Sequence, residues 1–294
     1  MTVAGRARVA VFRSLGALIE RVPDSVAVSI GRRVASSLRL PAARRNLAAN
    51  LAHALGEPAD VPEALVERFV GRALASYGQY WAEGAKLPAL PATTISDRFQ
   101  IVEGRGYLDA AHDAGAGVVV ALPHVGSWEW GGAFLAQIGM PMTAVAEALE
   151  PPALFDWFKA KRESIGITIE PLDAHAGTVL LDTLRRGGVV GLLCDRDLVG
   201  NGIPVDFFGE RVTLPAGPAT LALRTGATLV AAACYAGPGR DHYAVVTPPI
   251  PAERLGRLRD DVARVTQAIA VELEGLIRRA PEQWHVLQPR FDQP

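Results

Sequence analysis

An α/β fold, with a central mostly parallel or mixed β-sheet flanked by helices, is what this 294-residue sequence predicts. From about residue 99 onward, short β-branched apolar runs alternate with helix-length amphipathic segments, the pattern of strands joined by crossover helices. Before residue 90 the same reading finds four helical segments and no good strand. With 49% hydrophobic residues there is ample material for a core, and no repeat, low-complexity tract or linker divides the chain. One domain over 1–294 is therefore expected, with helices at 1–90 and the α/β core at 91–294.

The elements follow from local signals. Val11, Leu15, Leu18 and Val22 recur at helical spacing with Arg6 and Arg13 on the far side. Asp24 is a cap candidate for a second helix reaching 38, and Pro41 and Gly56 bracket a third. Pro62 opens a longer helix carrying Leu65, Phe69, Leu74, Tyr77 and Trp81 as far as about Ala85. Pro88 and Pro91 mark the passage to the alternating region. Strands are expected at 99–102, 118–122, 142–146, 167–170, 189–194, 228–235 and 243–246. Helices are expected around Leu108, from Gly126, after Pro152, from Thr178, after Pro215 and over 258–279.

Net charge is −1, unevenly spread. Residues 1–55 hold nine arginines against Glu20 and Asp24, which is +7 and leaves −8 for the remainder. Such a basic amphipathic end suits an anionic membrane surface, where each arginine is worth about 1 kcal/mol. The alternative is a helix docked on its own core with solvated arginines. Nucleic acid is disfavoured, because no aromatics interleave the basic residues of 21–55. No apolar run approaches the roughly twenty residues that span a bilayer, and no signal core opens the chain, so the cytoplasm or the inner membrane face is expected. Cys194 and Cys234 lack metal or redox spacing and sit in apolar runs, which makes buried thiols the expectation over a nucleophilic Cys194.

The chemistry concentrates in Gly117-Val-Val-Val-Ala-Leu-Pro-His124-Val-Gly-Ser-Trp-Glu129-Trp. Pro123 ends the strand, so His124 stands at its carboxyl end, where open α/β sheets keep ligand crevices. Glu129, on the first turn of the following helix, can fold back to the imidazole. A carboxylate on Nδ1 fixes the tautomer and leaves Nε2 as base, half of a triad without its own nucleophile. That suits a reaction whose nucleophile arrives with the substrate, such as a sugar or glycerol hydroxyl attacking an activated acyl group. The N–H groups of Gly126 and Ser127 can receive the oxyanion. Taken alone, a His-x4-Glu pair favours the alternative, a satisfied turn histidine, and the rest of the chain has to displace it.

Charged residues also fall where other strands end: Glu147 after 143–146, and Asp195-Arg196-Asp197 after 189–194. Arg162, Glu163 and Arg211 are either contacts for a hydroxyl-rich or phosphorylated substrate or surface ion pairs. Phe207 and Phe208 are either core or the lining of a groove for a fatty chain. There is no Gly-x-Ser-x-Gly elbow, no His-Glu-x-x-His zinc helix and no Gly-x4-Gly-Lys-Ser/Thr loop, and Gly104-Arg-Gly106 lacks a third glycine at dinucleotide spacing.

Several stretches agree in order and spacing with one family. They are Arg44-Arg-Asn-Leu, His124-Val-Gly-Ser-Trp-Glu129, Val145-Ala-Glu147, Arg162-Glu-Ser-Ile-Gly166, Gly191-Leu-Leu-Cys-Asp-Arg-Asp-Leu198, Val205-Asp-Phe-Phe-Gly-Glu210, Leu214-Pro-Ala-Gly-Pro-Ala219 and Pro281-Glu-Gln-Trp-His-Val-Leu-Gln288. Over about 44–290 the chain resembles the bacterial lipid A biosynthesis branch of the glycerolipid acyltransferases, and within it looks most like actinobacterial phosphatidylinositol mannoside acyltransferases. The resemblance implies a membrane-associated O-acyltransferase moving a fatty acyl group from acyl-CoA, palmitoyl-CoA in particular, to a mannose hydroxyl of a phosphatidylinositol mannoside. Another glycolipid or lysophospholipid acceptor, or a non-catalytic lipid-binding relative, is the alternative. It further implies no metal or cofactor, a peripheral position on the cytoplasmic face of the cell membrane through the N-terminal helices, and a hydrophobic groove. The family's His-x4-Asp/Glu dyad falls on His124 and Glu129, and Glu147, Arg162, Asp195 and Arg196 match polar positions lining its site. The acid is Glu here where many relatives carry Asp.

Overall fold

The structure, a computed structural model, describes residues 3–239 and 241–291, so both ends of the expected 1–294 domain lie outside the described residues. Four helices come first: α1 (Val3–Arg21), α2 (Asp24–Ser37), α3 (Pro41–Leu55) and α4 (Glu63–Lys86). Proline opens each turn cheaply: Pro23 and Pro62 stand at the N-cap positions of α2 and α4, and Pro41 is the first residue of α3. The Lys86 ammonium closes the carboxyl end of α1 by donating to the carbonyls of Glu20 (2.6 Å) and Val22 (2.8 Å). α2 crosses α4 at Gly31 and Gly78, where a Cβ on Gly31 would lie 2.4 Å from the Gly78 carbonyl oxygen. Any larger residue there would push the two helices apart.

A short helix, α5 (Ala92–Arg98), that the two prolines concealed leads into the alternating region. Next come β1 (Phe99–Glu103), α6 (Arg105–Asp113), β2 (Val118–Leu122), α7 (Trp128–Gln137), β3 (Met142–Ala146), α8 (Pro152–Glu163), β4 (Thr168–Pro171), α9 (Ala176–Arg185) and β5 (Val189–Leu193). A hairpin of β6 (Ile203–Phe207) and β7 (Glu210–Leu214) is succeeded by α10 (Gly217–Thr225), β8 (Thr228–Ala236), β9 (His242–Val246) and α11 (Leu258–Arg279). Among the described residues the main sheet has the order β1-β9-β8-β2-β5-β3-β4. Every neighbouring pair is parallel except β8 with β9, so the sheet is mixed.

β2 lies in the middle and is buried on both faces, which is why it reads as a continuous apolar run. Val119 and Ala121 pack with α9, α10 and α11, while Val118, Val120 and Leu122 pack on the other face with Leu108 of α6 and Leu135 of α7. Each such valine or leucine contributes roughly 1.5–3 kcal/mol, and together they hold the carboxyl end of β2 in place. The β6–β7 hairpin was not expected. Its two-residue loop, Phe208-Gly209, has φ of 52° and 82°, as a primed turn requires. Phenylalanine is a poor local signal for that turn. Tertiary contacts hold it there: the Phe208 N–H donates to Glu274 Oε1 (2.7 Å) and its ring is buried against Trp284.

Candidate active site

Sheet register assembles the site. Leu122 of β2 pairs with Leu193 of β5, and the Cys194 N–H donates to the Leu122 carbonyl (2.9 Å). Just beyond that pair, His124 meets Asp195. The His124 N–H donates to Asp195 Oδ2 (2.9 Å), and His124 Nδ1 lies 2.5 Å from Asp195 Oδ1. Trp284 Nε1 donates to the same Oδ2 (2.8 Å). Asp195 is wholly buried. Burial by itself would raise its carboxyl, but the His124 ring and the N–H donors of His124 and Trp284 outweigh that and hold it at about 2. An ionised carboxylate only accepts, so the proton between the two sits on Nδ1, and the nitrogen that can carry a lone pair is Nε2. The imidazole is partly open, with a quarter of its side chain exposed.

This corrects the expected pairing: the carboxylate on His124 is Asp195, not Glu129, and Asp195 has no surface left with which to bind substrate. Glu129 does lie on the first turn of α7, but its Oε1 accepts from the Tyr80 hydroxyl (3.0 Å) and from Arg162 Nη2 (3.1 Å). The reason is electrostatic. Arg162 is largely buried beside the rings of Trp128 and Phe158, and a guanidinium there requires an anionic partner. Desolvation lowers the Arg162 pKa, yet Glu129 and Tyr80 prevail and raise it. Burial, then the Glu129 charge, pushes the Tyr80 hydroxyl up.

The expected oxyanion donors are also corrected. The Gly126 N–H donates to the Gln283 carbonyl (2.9 Å) and the Ser127 N–H to the Cys234 carbonyl (3.0 Å), so neither is available to a substrate oxygen. Gly126 has φ of 57°, and a Cβ there would sit 2.0 Å from the Cys234 oxygen. Glu147 is exposed just past β3, on the same sheet end as His124, and Arg196 is half-buried beside Asp195. Asp197 closes its own loop, accepting from the N–H groups of Val199, Gly200 and Gly202. Arg211 is exposed and paired with Asp206 across the hairpin (3.2 Å).

Phe207 and Phe208 belong to the core with Trp284 and Phe291 rather than to an acyl groove. The apolar space lies elsewhere. A cavity of about 510 Å³ opens among α1, α2, α4 and α8, lined by side chains such as Leu15, Ile19, Ile30, Val34, Trp81 and Phe158. Its polar wall consists of Tyr80, Glu129, Lys161 and Arg162. That volume falls within the roughly 300–1,000 Å³ of small-molecule sites. Several of the lining residues, among them Leu18 and Ile30, are also more than half exposed to solvent. Two side chains of this arrangement have no role in the sequence reading, although Trp284 lies within the matching stretch 281–288. Trp284 is a lone tryptophan 160 positions from His124, and Tyr80 looks like one more aromatic on an amphipathic helix.

A mixed sheet carrying a carboxylate-held imidazole at the carboxyl end of its central strand, with a broad apolar cavity that reaches Glu129 of the helix that follows, is a frame suited to an acyl-transfer enzyme. From residue 7 to 293 the chain matches, and it belongs to, the bacterial lipid A biosynthesis acyltransferase family. It is 36% identical over 281 residues to the phosphatidylinositol mannoside acyltransferase of Mycolicibacterium smegmatis, covering 93% of this chain and 88% of that protein. It is 39% identical over 246 residues to the phosphatidylinositol mannoside acyltransferase of Mycobacterium tuberculosis, covering 82% of this chain and 75% of the relative.

Proposed function

We propose that the protein transfers a fatty acyl group from acyl-CoA to a mannose hydroxyl of a phosphatidylinositol mannoside, with His124 as general base. Nε2 takes the proton of the acceptor hydroxyl as its oxygen attacks the thioester carbonyl. The carbon–sulfur bond then breaks, and the departing thiolate takes that proton from the imidazolium and leaves as coenzyme A. No acyl-enzyme forms, because the nucleophile belongs to the acceptor. Asp195 orients the ring and stabilises the imidazolium. The observation that carries this reading is the His124 Nδ1–Asp195 contact at 2.5 Å, which leaves Nε2 free on a partly open ring. The name shared by the relatives supports the acceptor.

The apolar cavity takes an aliphatic chain, with Glu129 and Arg162 at its polar wall. Exposed Val11, Leu15, Leu18, Ile30 and Val34 on α1 and α2, together with the arginines of 1–55, support a peripheral seat on the cytoplasmic face of an anionic membrane. Among the described residues no helix is long and apolar enough to cross a membrane. A positioned base commonly contributes about 10²–10⁴ in rate. His124→Ala is expected to lose at least that much thiol release from palmitoyl-CoA in the presence of a purified mannoside acceptor while keeping its fold. Normal turnover by that variant would remove His124 from the mechanism. Equal thiol release with and without acceptor would make the protein a thioesterase instead.

A further inference from the structure

His124 is held on two sides. Asp195 takes its N–H and its ring, while its carbonyl accepts from the N–H of His285 (2.7 Å). His285 belongs to a strap, residues 281–290, that runs beside the catalytic turn. Trp284 bridges antiparallel to Val125, and the strap's Gln283 carbonyl takes the Gly126 N–H. The strap also supplies the indole N–H on Asp195. Several side chains of the N-terminal helices hold the strap: Asn46 Nδ2 donates to the Leu287 carbonyl (3.1 Å), Ser76 Oγ meets His285 Nε2 (2.9 Å), and the most buried of them, Asn50, makes three bonds to it. Asn50 on α3, 1% exposed, donates through Nδ2 to the carbonyls of Val286 (2.9 Å) and Gln288 (3.0 Å), and its Oδ1 accepts from the Arg290 N–H (3.2 Å).

We propose that Asn50 is a positioning residue for the proposed base: by pegging the strap it sets where Trp284 meets Asp195 and where His285 meets the His124 backbone. The proposal rests on His124 being that base. An amide is the side chain that fits, because the strap presents two acceptors and one donor to a single buried point. Alanine would leave three strap groups without these bonds, and aspartate would set an anion against two carbonyls. If fold stability were the only demand, a well-packed apolar residue would serve on the α3 face that already buries Leu47 and Leu51. Catalysis needs more, since a base displaced by about 1 Å can lose about 10² in rate.

The test compares four single variants of the full chain: His124→Ala, Asn50→Ala, Trp284→Phe and, as a structural control, Val70→Ala, which opens a gap in the α3–α4 core that meets the strap at Leu287 but removes none of the strap's hydrogen bonds. Steady-state kinetics with palmitoyl-CoA and a mannoside acceptor are measured from pH 5 to 9, well below each melting temperature. Asn50→Ala is expected to lower kcat about 10–100-fold with the donor KM within about two-fold, whereas Val70→Ala, for a comparable loss of melting temperature, keeps its kcat. Trp284→Phe, which keeps an aromatic ring but not the N–H, is expected to move the acid limb of kcat/KM to higher pH. A carboxylate with one donor fewer holds the imidazolium more tightly. Should Asn50→Ala fail to fold, this second variant still decides. Wild-type kcat in folded Asn50→Ala, or an unmoved acid limb in Trp284→Phe, overturns the inference. Full activity in His124→Ala overturns the underlying assignment of the base instead.

Discussion

Asp195→Asn changes one heavy atom, and the hydrogen-bond pattern dictates how the ring responds. Oδ2 receives two N–H donors, from the His124 backbone and Trp284, so the amide oxygen must take that position. The amide NH2 then faces His124 Nδ1, which must become an acceptor, and the ring proton moves to Nε2. Turning the amide over would set its NH2 against two N–H groups, at about 1–3 kcal/mol for each bond lost. The base-competent tautomer therefore becomes a minor species, and kcat is expected to fall by about 10³–10⁴, the size of loss seen when a catalytic histidine is held in the wrong tautomer. Stability should move as well. The Asp195 carboxyl is held at about 2, below the usual 3.8, so its contribution is whole above pH 4 and is lost as pH falls through 2. At pH 7 its removal is expected to cost about 2 kcal/mol. The assay is thiol release with purified acceptor, alongside urea unfolding, for Asp195→Asn and Glu129→Gln in parallel. An Asp195→Asn enzyme within ten-fold of wild type would refute the reasoning, and a larger kcat loss in Glu129→Gln would return the imidazole's partner to Glu129.

Glu129→Gln should leave Arg162 without its counter-charge and lower the melting temperature by several degrees, measured by calorimetry; an unchanged melting temperature would mean that the pair contributes nothing. Gly126→Ala should cost more than about 2 kcal/mol in urea unfolding, because φ is positive and the new Cβ meets the Cys234 oxygen. His285 is pushed down to about 3, by burial first and then by the nearby His124. The unfolded chain takes up a proton near pH 6.5 that the folded one refuses, so this contribution is intact above 6.5 and is lost as pH falls toward 3. Between pH 7 and 5 wild type should therefore lose about 2 kcal/mol more than His285→Gln, and parallel stability curves would contradict that burial.

Local periodicity decided most of the elements. The bounds of β2, β3 and α11 were legible to the residue, since a run of valines or a 22-residue amphipathic stretch needs no distant information. So was the position of His124, because Pro123 has to end its strand. The β6–β7 hairpin was hidden behind a turn that only burial of Phe208 makes acceptable.

What the sequence by itself determined is that a histidine would stand at the carboxyl end of a buried strand, with acids at the ends of other strands. Which acid it would meet was beyond it. Glu129 is five positions away and Asp195 seventy-one, so local reading favours the nearer group. The choice was made by strand order and register, which set β5 beside β2 with Leu193 opposite Leu122, and by a buried arginine from α8 that claimed the closer carboxylate. Both are properties of how elements pack, and a pairing energy between distant strands leaves no periodic trace in either one alone.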